Sequence, residues 1–120
     1  KNIIFDFLNN NNLDQIDSRG MYQFYPMVNL WRDIQIALKE KINLIHLTAE
    51  PITVADVSKF GFNKIFNHTL SSSPINYDMK TLYAELFGAK GNYQYSRDET
   101  IQAIRAYAQS EPKNLEIKNT

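Results

Sequence analysis

The chain contains no cysteine, only four glycines, no excess charge of either sign and no long hydrophobic run. Without cysteine, disulfides and thiolate metal sites are excluded, which favours a reducing compartment. Thirteen basic and thirteen acidic side chains cancel, so no net field attracts nucleic acid or an anionic membrane. The apolar runs are far shorter than the roughly 20 residues that span a bilayer. We therefore expect a cytoplasmic protein that binds neither nucleic acid nor a membrane.

The length and composition predict one domain. A chain of 120 residues that is 43% hydrophobic can bury a single core. We place the domain at residues 1–111 and expect residues 112–120, which begin at Pro112, to form a polar tail. The first residues lack both the apolar length and the small-residue cleavage site of a secretory signal.

Helix starts are the clearest local signals. Asn29 is a suitable N-cap for a helix in which Leu30, Ile34 and Leu38 recur every four residues. Thr53 with Asp56 forms a pair like a capping box. A second such pair, Ser96 with Glu99, opens the last predicted helix, with Ile101, Ile104 and Ala108 facing inward.

Other segments predict strands and one more helix. Met21–Val28 is aromatic-rich and ends near a proline, and Asn43–Thr48 is apolar, so both suit short strands. Asp78 precedes a helical apolar pattern over Met79–Phe87, and Gly88 would stop that helix. The total of four to five helices and two to three short strands predicts a helix-rich α/β fold.

Motifs that carry chemistry are scarce. The sequence has no glycine-rich phosphate loop, no metal-ligand cluster and no nucleophile beside a base. Asp14 and Asp17 lack the spacing of a calcium loop, and His46 and the serines before Pro74 are more typical of packing and loops. We therefore assign no catalytic, cofactor-binding or metal-binding residue to this chain.

The order of elements in Phe24–Phe62 resembles the extended short-chain dehydrogenase/reductase family, the NAD-dependent sugar epimerases and dehydratases. Phe24-Tyr25-Pro26-Met27-Val28-Asn29-Leu30 takes the place of the family's aromatic-x-H-V-x-D-L segment, and Ile42–Lys59 matches its next strand, turn and capped helix. Tyr77-Asp78-Met79-Lys80 and Leu86-Phe87-Gly88 are similar to its aspartate-led helix and leucine-glycine ending. The resemblance implies that this chain is the C-terminal, substrate-binding lobe of such an enzyme.

The same resemblance implies that the Rossmann half is absent. In the family the glycine fingerprint and the tyrosine-x-x-x-lysine pair lie upstream, and this chain begins at Lys1 and contains neither. NAD or NADP would be held by the missing half, a partner of this lobe, and we expect none to bind the 120 residues alone. The implied activity is NAD(P)-dependent epimerisation, dehydration or reduction of a sugar derivative.

The family touches its substrate at the segments that here contain Asn2, Tyr22, Tyr25 and Tyr77. Two arginines that often hold a nucleotide diphosphate in the family are replaced, one of them by Tyr22. Because the guanidinium fork suits a diphosphate, the substrate could instead be a lipid-linked or free sugar derivative, or its phosphates could be held by other groups.

A stand-alone protein-interaction module without catalysis is the alternative, since the even charge, the helices and the lack of catalytic residues suit it equally. The lobe hypothesis predicts an apolar surface where the Rossmann half would pack, and therefore weak self-association or poor solubility of the isolated chain.

Overall fold

The computed structural model describes residues 2–111, and within them the chain is a small helix-rich α/β fold. The four α-helices are α1 (Ile3–Leu8), α2 (Leu30–Lys39), α3 (Val54–Asp56) and α4 (Arg97–Ser110). The strands β1 (Met21–Tyr22) and β2 (Ile52–Thr53) pair antiparallel, with Met21 opposite Thr53 and Tyr22 opposite Ile52. Short 3-10 turns cover Leu13–Gln15, Met27–Asn29 and Ala84–Phe87, and a π-helical turn, Val57–Gly61, extends α3.

The apolar core lies where α1, α3 and α4 meet. Its buried members come from four parts of the chain: Ile3, Phe7, Ile16, Ile52, Val54, Val57, Ile101 and Ile104. Ile101 and Ile104 face inward as the sequence predicts. The aromatic rings of Phe62 and Phe66 close the core against Phe7, at centroid distances of 5.6 and 5.1 Å.

The predicted caps of α3 and α4 are present. Ser96 Oγ accepts from the Glu99 amide at 3.2 Å, and Glu99 Oε1 accepts from the Ser96 amide at 3.0 Å, which completes the capping box. Thr53 Oγ1 accepts from the Asp56 amide at 3.2 Å. The Asp56 carboxylate instead pairs with Arg97 at 2.7 Å and so joins α3 to the start of α4.

The close packing of the π-helical turn on α4 depends on Gly61. A β-carbon at this position would lie 2.7 Å from Cγ2 of Ile104. Glycine is therefore required for space, since a side-chain carbon would overlap the isoleucine.

Of the two predicted strands, one is shorter than expected and the other is wrong. Of Met21–Val28, only Met21–Tyr22 forms a strand, because Pro26 has no amide to donate and a 3-10 turn follows it. Asn43–Thr48 forms none. Its end is held by the Gln94 side chain instead, and pairing is limited to an isolated parallel bridge between Ala49 and Tyr95.

The predicted helix over Met79–Phe87 is wrong apart from its last turn. The amide of Met79 donates to the Gln23 side chain and that of Thr81 to the Asn92 carbonyl, so long-range partners replace the helical bonds. Leu82 is left exposed. Gly88, with φ of 78°, does end the remaining 3-10 turn, as predicted.

Helix α2 begins after Asn29, as predicted, although the Asn29 side chain makes no capping bond. Of the predicted apolar positions, Leu30 and Ile34 are half-buried and Leu38 is exposed, and the buried residues of the helix are Asp33 and Ala37. The apolar period therefore locates the helix and part of its packed side, but it predicts neither the buried Asp33 nor the exposed Leu38.

Residues 112–120, the predicted tail, lie outside the described residues. Across residues 2–111, no helix has the length and apolar character needed to cross a bilayer.

Candidate functional site: an aromatic cleft

A cleft of about 500 Å³ opens beside strand β1. Its walls come from three segments that are distant in sequence: the end of β1 and the residues after it, the chain leading to β2, and the loop before residue 80. The lining residues are Tyr22, Gln23, Tyr25, Ile45, His46, Leu47, Thr48, Ala49, Tyr77 and Met79. All of these lining residues lie outside the α-helices.

The structure brings together three of the four residues predicted to contact substrate. Tyr22, Tyr25 and Tyr77 all line this cleft, although Tyr77 is more than 50 positions from the other two. Asn2 does not line it. The Asn2 side chain caps α1, where Oδ1 accepts from the Phe5 amide at 3.0 Å.

Tyr77 reaches Tyr22 because the loop containing it pairs with β1. The Met21 amide donates to the Ile75 carbonyl at 2.8 Å, and the Tyr77 amide donates to the Met21 carbonyl at 3.0 Å. The rings of Tyr22 and Tyr77 then lie 5.6 Å apart between centroids, tilted by 60°. Burial is the main cause that raises the pKa of Tyr22, followed by the nearby Tyr77 and Asp17.

Gln23 fixes the floor of the cleft. Its Nε2 donates to the carbonyls of Ala49 at 2.9 Å and Met79 at 2.7 Å, while its Oε1 accepts from the Met79 amide at 2.8 Å. One side chain therefore joins all three segments that form the walls.

Tyr25 is held by a buried carboxylate behind the cleft. Asp33, which is 0% exposed, accepts at Oδ2 from the hydroxyls of both Tyr25 and Tyr95. Its other oxygen, Oδ1, has no hydrogen-bond partner, and Nε of Arg32 lies 3.6 Å from it, beyond hydrogen-bond length. Arg32 also donates to the Tyr95 hydroxyl at 3.2 Å. The network orients the Tyr25 ring towards the cleft.

Burial and the nearby carboxylate together keep these tyrosines protonated. Burial, and then the hydrogen bond to Asp33, raise the pKa of Tyr25, and the same two causes raise that of Tyr95 against the opposing effect of Arg32. At neutral pH both hydroxyls are protonated and act as donors to Asp33. Tyr25 is thus a wall residue rather than a proton acceptor.

Gln94 holds the opposite wall and was not singled out by the sequence. This residue, 2% exposed, accepts at Oε1 from the Thr48 amide and donates from Nε2 to the His46 carbonyl at 3.0 Å. Its own amide donates to the Thr48 carbonyl at 2.9 Å. Only the fold could reveal this role, because a glutamine 46 positions from its partner leaves no local pattern.

The loop that contains Tyr77 is anchored further back by the turn at Asp17 and Arg19. Arg19 pairs with Asp17 at 2.8 Å and donates to the carbonyls of Leu70 and Ser72. Asp17 also accepts from the Leu70 amide at 3.1 Å. The hydrogen bonds from Arg19 hold the pKa of Asp17 well below its usual range.

A larger open groove of about 850 Å³ lies on the other side of the core, between α1, the π-helical turn and the end of α4. It contains Lys59, Lys64 and Arg105, and Arg105 Nε donates to the Phe60 carbonyl at 3.0 Å. None of the predicted contact residues lines it. We therefore place the candidate site in the aromatic cleft.

The described residues do not fit a dinucleotide. A Rossmann site needs closely spaced glycines between a strand and a helix N-terminus. Of the four glycines here, Gly88 and Gly91 lie close together, but they follow the 3-10 turn Ala84–Phe87 rather than a strand. Gly61 packs on Ile104, Gly88 and Gly91 have positive φ in loops, and Gly20 precedes β1. Residues 2–111 likewise contain no group of three or more side chains suited to a metal ion.

Comparisons with family models, with curated proteins and with solved structures find nothing that matches this chain. The function must therefore be argued from the cleft itself.

Proposed function

We propose that this chain is the substrate-binding lobe of an NAD(P)-dependent epimerase, dehydratase or reductase that acts on a sugar derivative. One observation carries the proposal. The resemblance to substrate-contacting segments selects Tyr22, Tyr25 and Tyr77 from the sequence, and all three line one cleft although Tyr77 is more than 50 positions from the other two. Convergence of distant segments on a concave surface is the usual form of a ligand site.

A second feature supports the proposal. The outer side of α2 and the turn before it carries Val28, Trp31 and Leu38, which are 92%, 69% and 67% exposed. Trp31 and Leu38, seven residues apart, lie on the side of the helix opposite the buried Asp33 and Ala37, and Val28 belongs to the 3-10 turn before it. Such apolar stripes on proteins commonly mark an interface. In the proposed enzyme the nucleotide-binding half packs here.

The cleft and the apolar stripe indicate separate roles for this lobe and for the other half of the proposed enzyme. The other half holds the nicotinamide cofactor, which supplies hydride transfer when bound, and it also carries the acid and base. This lobe supplies the aromatic walls, held in place by Gln23, Asp33 and Gln94, and excludes water from the bound substrate. A cytoplasmic location is part of the same proposal.

The decisive test expresses the complete open reading frame that contains this sequence and measures nicotinamide binding by the fluorescence of NADH and NADPH. We expect the complete protein to bind one of the two and the 120-residue chain to bind neither. Tight binding by the 120 residues alone, or none by the complete protein, would refute the proposed function.

The α2 stripe also suits the alternative, a protein-interaction module, so it is tested separately. We expect the isolated 120-residue chain to self-associate, and Trp31→Lys to reduce that association in sedimentation experiments. Gln102→Lys on the exposed side of α4 adds the same charge as a control and should leave association unchanged. A monomeric wild-type chain at high concentration would remove the support that the stripe gives to a missing half.

A further inference from the structure

We infer that the aromatic cleft binds the ring of an uncharged sugar, and that it does not bind a phosphate group. The inference rests on the proposed function in taking this cleft as the substrate site, and it adds the chemical class of what the cleft holds. Three properties of the walls support it: their charge, their ring surfaces and their free hydroxyls.

The walls offer no charge for an anion. Among the described residues that line the cleft there is no lysine, arginine, aspartate or glutamate, and His46 is the only basic side chain. Proteins hold phosphate with arginine or lysine side chains or with the amides of a helix N-terminus. Among the described lining residues there is neither lysine nor arginine, and none belongs to an α-helix, so a diphosphate bound there would lose hydration without gaining a charged partner.

The ring surfaces suit a flat apolar face. Tyr22 and Tyr77 form a tilted pair at 5.6 Å, and Tyr25 can offer only its ring because its hydroxyl donates to Asp33. The C–H groups of a pyranose carry partial positive charge and pack on the negative faces of aromatic rings. The cleft volume of about 500 Å³ lies within the range of small-molecule sites.

The free hydroxyls suit the polar edge of a sugar. Within residues 2–111, the hydroxyls of Tyr22 and Tyr77 have no hydrogen-bond partner. A phenolic hydroxyl both donates and accepts, which matches the hydroxyl groups of an uncharged carbohydrate. Because Gln23 and Asp33 already fix the walls, little ordering is needed when the ligand binds.

The test is a titration of the 120-residue chain, labelled in its tyrosine rings, followed by NMR. The neutral probes are methyl glucoside, methyl galactoside and the methyl glycoside of N-acetylglucosamine. Uridine diphosphate is the charged probe. We expect at least one glycoside to shift the Tyr22 and Tyr77 ring signals with a Kd of about 1–50 mM, without dependence on salt. Uridine diphosphate should leave those signals in place.

Variants assign the binding to the cleft. Tyr77→Ala should abolish the shifts of Tyr22, and Tyr77→Phe, which keeps the ring, should weaken binding by about 3-fold to 10-fold through loss of one hydrogen bond. Tyr107→Ala removes an exposed aromatic ring on α4 and should change nothing.

Three results would overturn the inference. One is the absence of ring shifts with every neutral glycoside up to about 50 mM. Another is a larger response to uridine diphosphate than to the glycosides. The last is a response to octyl glucoside but not to methyl glucoside, which would indicate an acyl-chain site. Since the assay needs no cofactor, it can fail while the complete protein still binds nicotinamide, and the two proposals are distinguishable.

Discussion

The core and the cleft of this protein are stabilised in different ways. The core between α1, α3 and α4 consists of apolar side chains. Val57 and Ile52 are among its most buried members and lie close together in the sequence. The cleft has loops for walls, and polar side chains such as Gln23, Gln94 and Asp33 fix them through specific hydrogen bonds. The burial of apolar side chains stabilises a protein without requiring a particular direction of contact, whereas each buried polar group requires a hydrogen-bond partner.

This difference shows where hydrogen bonds, rather than apolar burial, determine the geometry of the protein. A protein that needed only stability could fill the space around Asp33 with apolar side chains. The carboxylate of Asp33, at 0% exposure, instead fixes the hydroxyls of Tyr25 and Tyr95.

The largest expected loss of stability follows from substitutions in the core at α4. Ile104→Ala leaves a cavity and should lower the free energy of unfolding by about 2–5 kcal/mol, measured by urea denaturation. Gly61→Ala alone should cost about 1–3 kcal/mol, because its β-carbon would meet Ile104 at 2.7 Å. In the Ile104→Ala background the same glycine change should cost less, since the opposing methyl is gone. Additive costs would contradict the described contact.

The next largest expected loss of stability follows from a substitution in the cleft wall. Gln94→Leu keeps the volume but leaves the Thr48 amide and the His46 carbonyl without their partner. We expect a loss of about 2–3 kcal/mol and faster hydrogen exchange around Thr48. Gln102→Leu, exposed on α4, is the matched control and should change stability by less than about 0.5 kcal/mol. Equal effects of the two variants would mean that the wall does not depend on Gln94.

Asp33→Asn tests the support of Tyr25 with a smaller change. The amide cannot accept from both tyrosine hydroxyls as strongly as the carboxylate does, so we expect a loss of about 1–2 kcal/mol. The pKa of Tyr25 should fall towards its ordinary value, because Asp33 is a cause of its increase. Ultraviolet absorbance of the phenolate measures this, with Asp14→Asn as the exposed control. An unchanged tyrosine titration would refute the network.

The smallest effect is at high pH. Tyr25 and Tyr95 have a raised pKa in the folded state, and the hydrogen bond to Asp78 raises the pKa of Tyr93 to about 12. A raised pKa gives stability that is complete below the unfolded value of about 10 and is lost as the pH rises through the folded value. Unfolding free energy should therefore be flat near neutrality and decline above pH about 10. Tyr93→Phe should reduce the decline between about 10 and 12, whereas Tyr107→Phe should not.

The same comparison explains which features the sequence could predict. Ser96 and Glu99 are three residues apart and interact through their own backbone amides, so a local rule finds them. The apolar pattern over Met79–Phe87 satisfies an equally good local rule, but the helix it predicts does not form. The amides of Met79 and Thr81 donate instead to Gln23 and Asn92, which are distant in sequence. On α2 the pattern predicts the helix and the half-buried Leu30 and Ile34, but a rule based on apolar spacing cannot predict that Asp33 is buried beside them.

In the candidate site, too, local patterns could be predicted from the sequence and contacts between distant residues could not. Tyr22, Tyr25 and Tyr77 could be selected from the sequence, but Asn2 serves as the N-cap of α1 instead. Gln23, Asp33 and Gln94, which hold the walls, were missed because their partners lie 8 to 62 positions away. A polar residue in a chain of mixed composition gives no sign that it is buried.

The central claim is that the aromatic cleft is the substrate site of a nicotinamide-dependent enzyme, and the most direct measurement is the KM of the complete protein with Tyr77→Ala. Once a sugar substrate is found by coupled changes in nicotinamide absorbance, we expect Tyr77→Ala to raise KM for that sugar by about 10-fold or more, with Tyr107→Ala unchanged and the affinity for nicotinamide unaltered. Equal KM values for the wild type and the two variants would contradict the account.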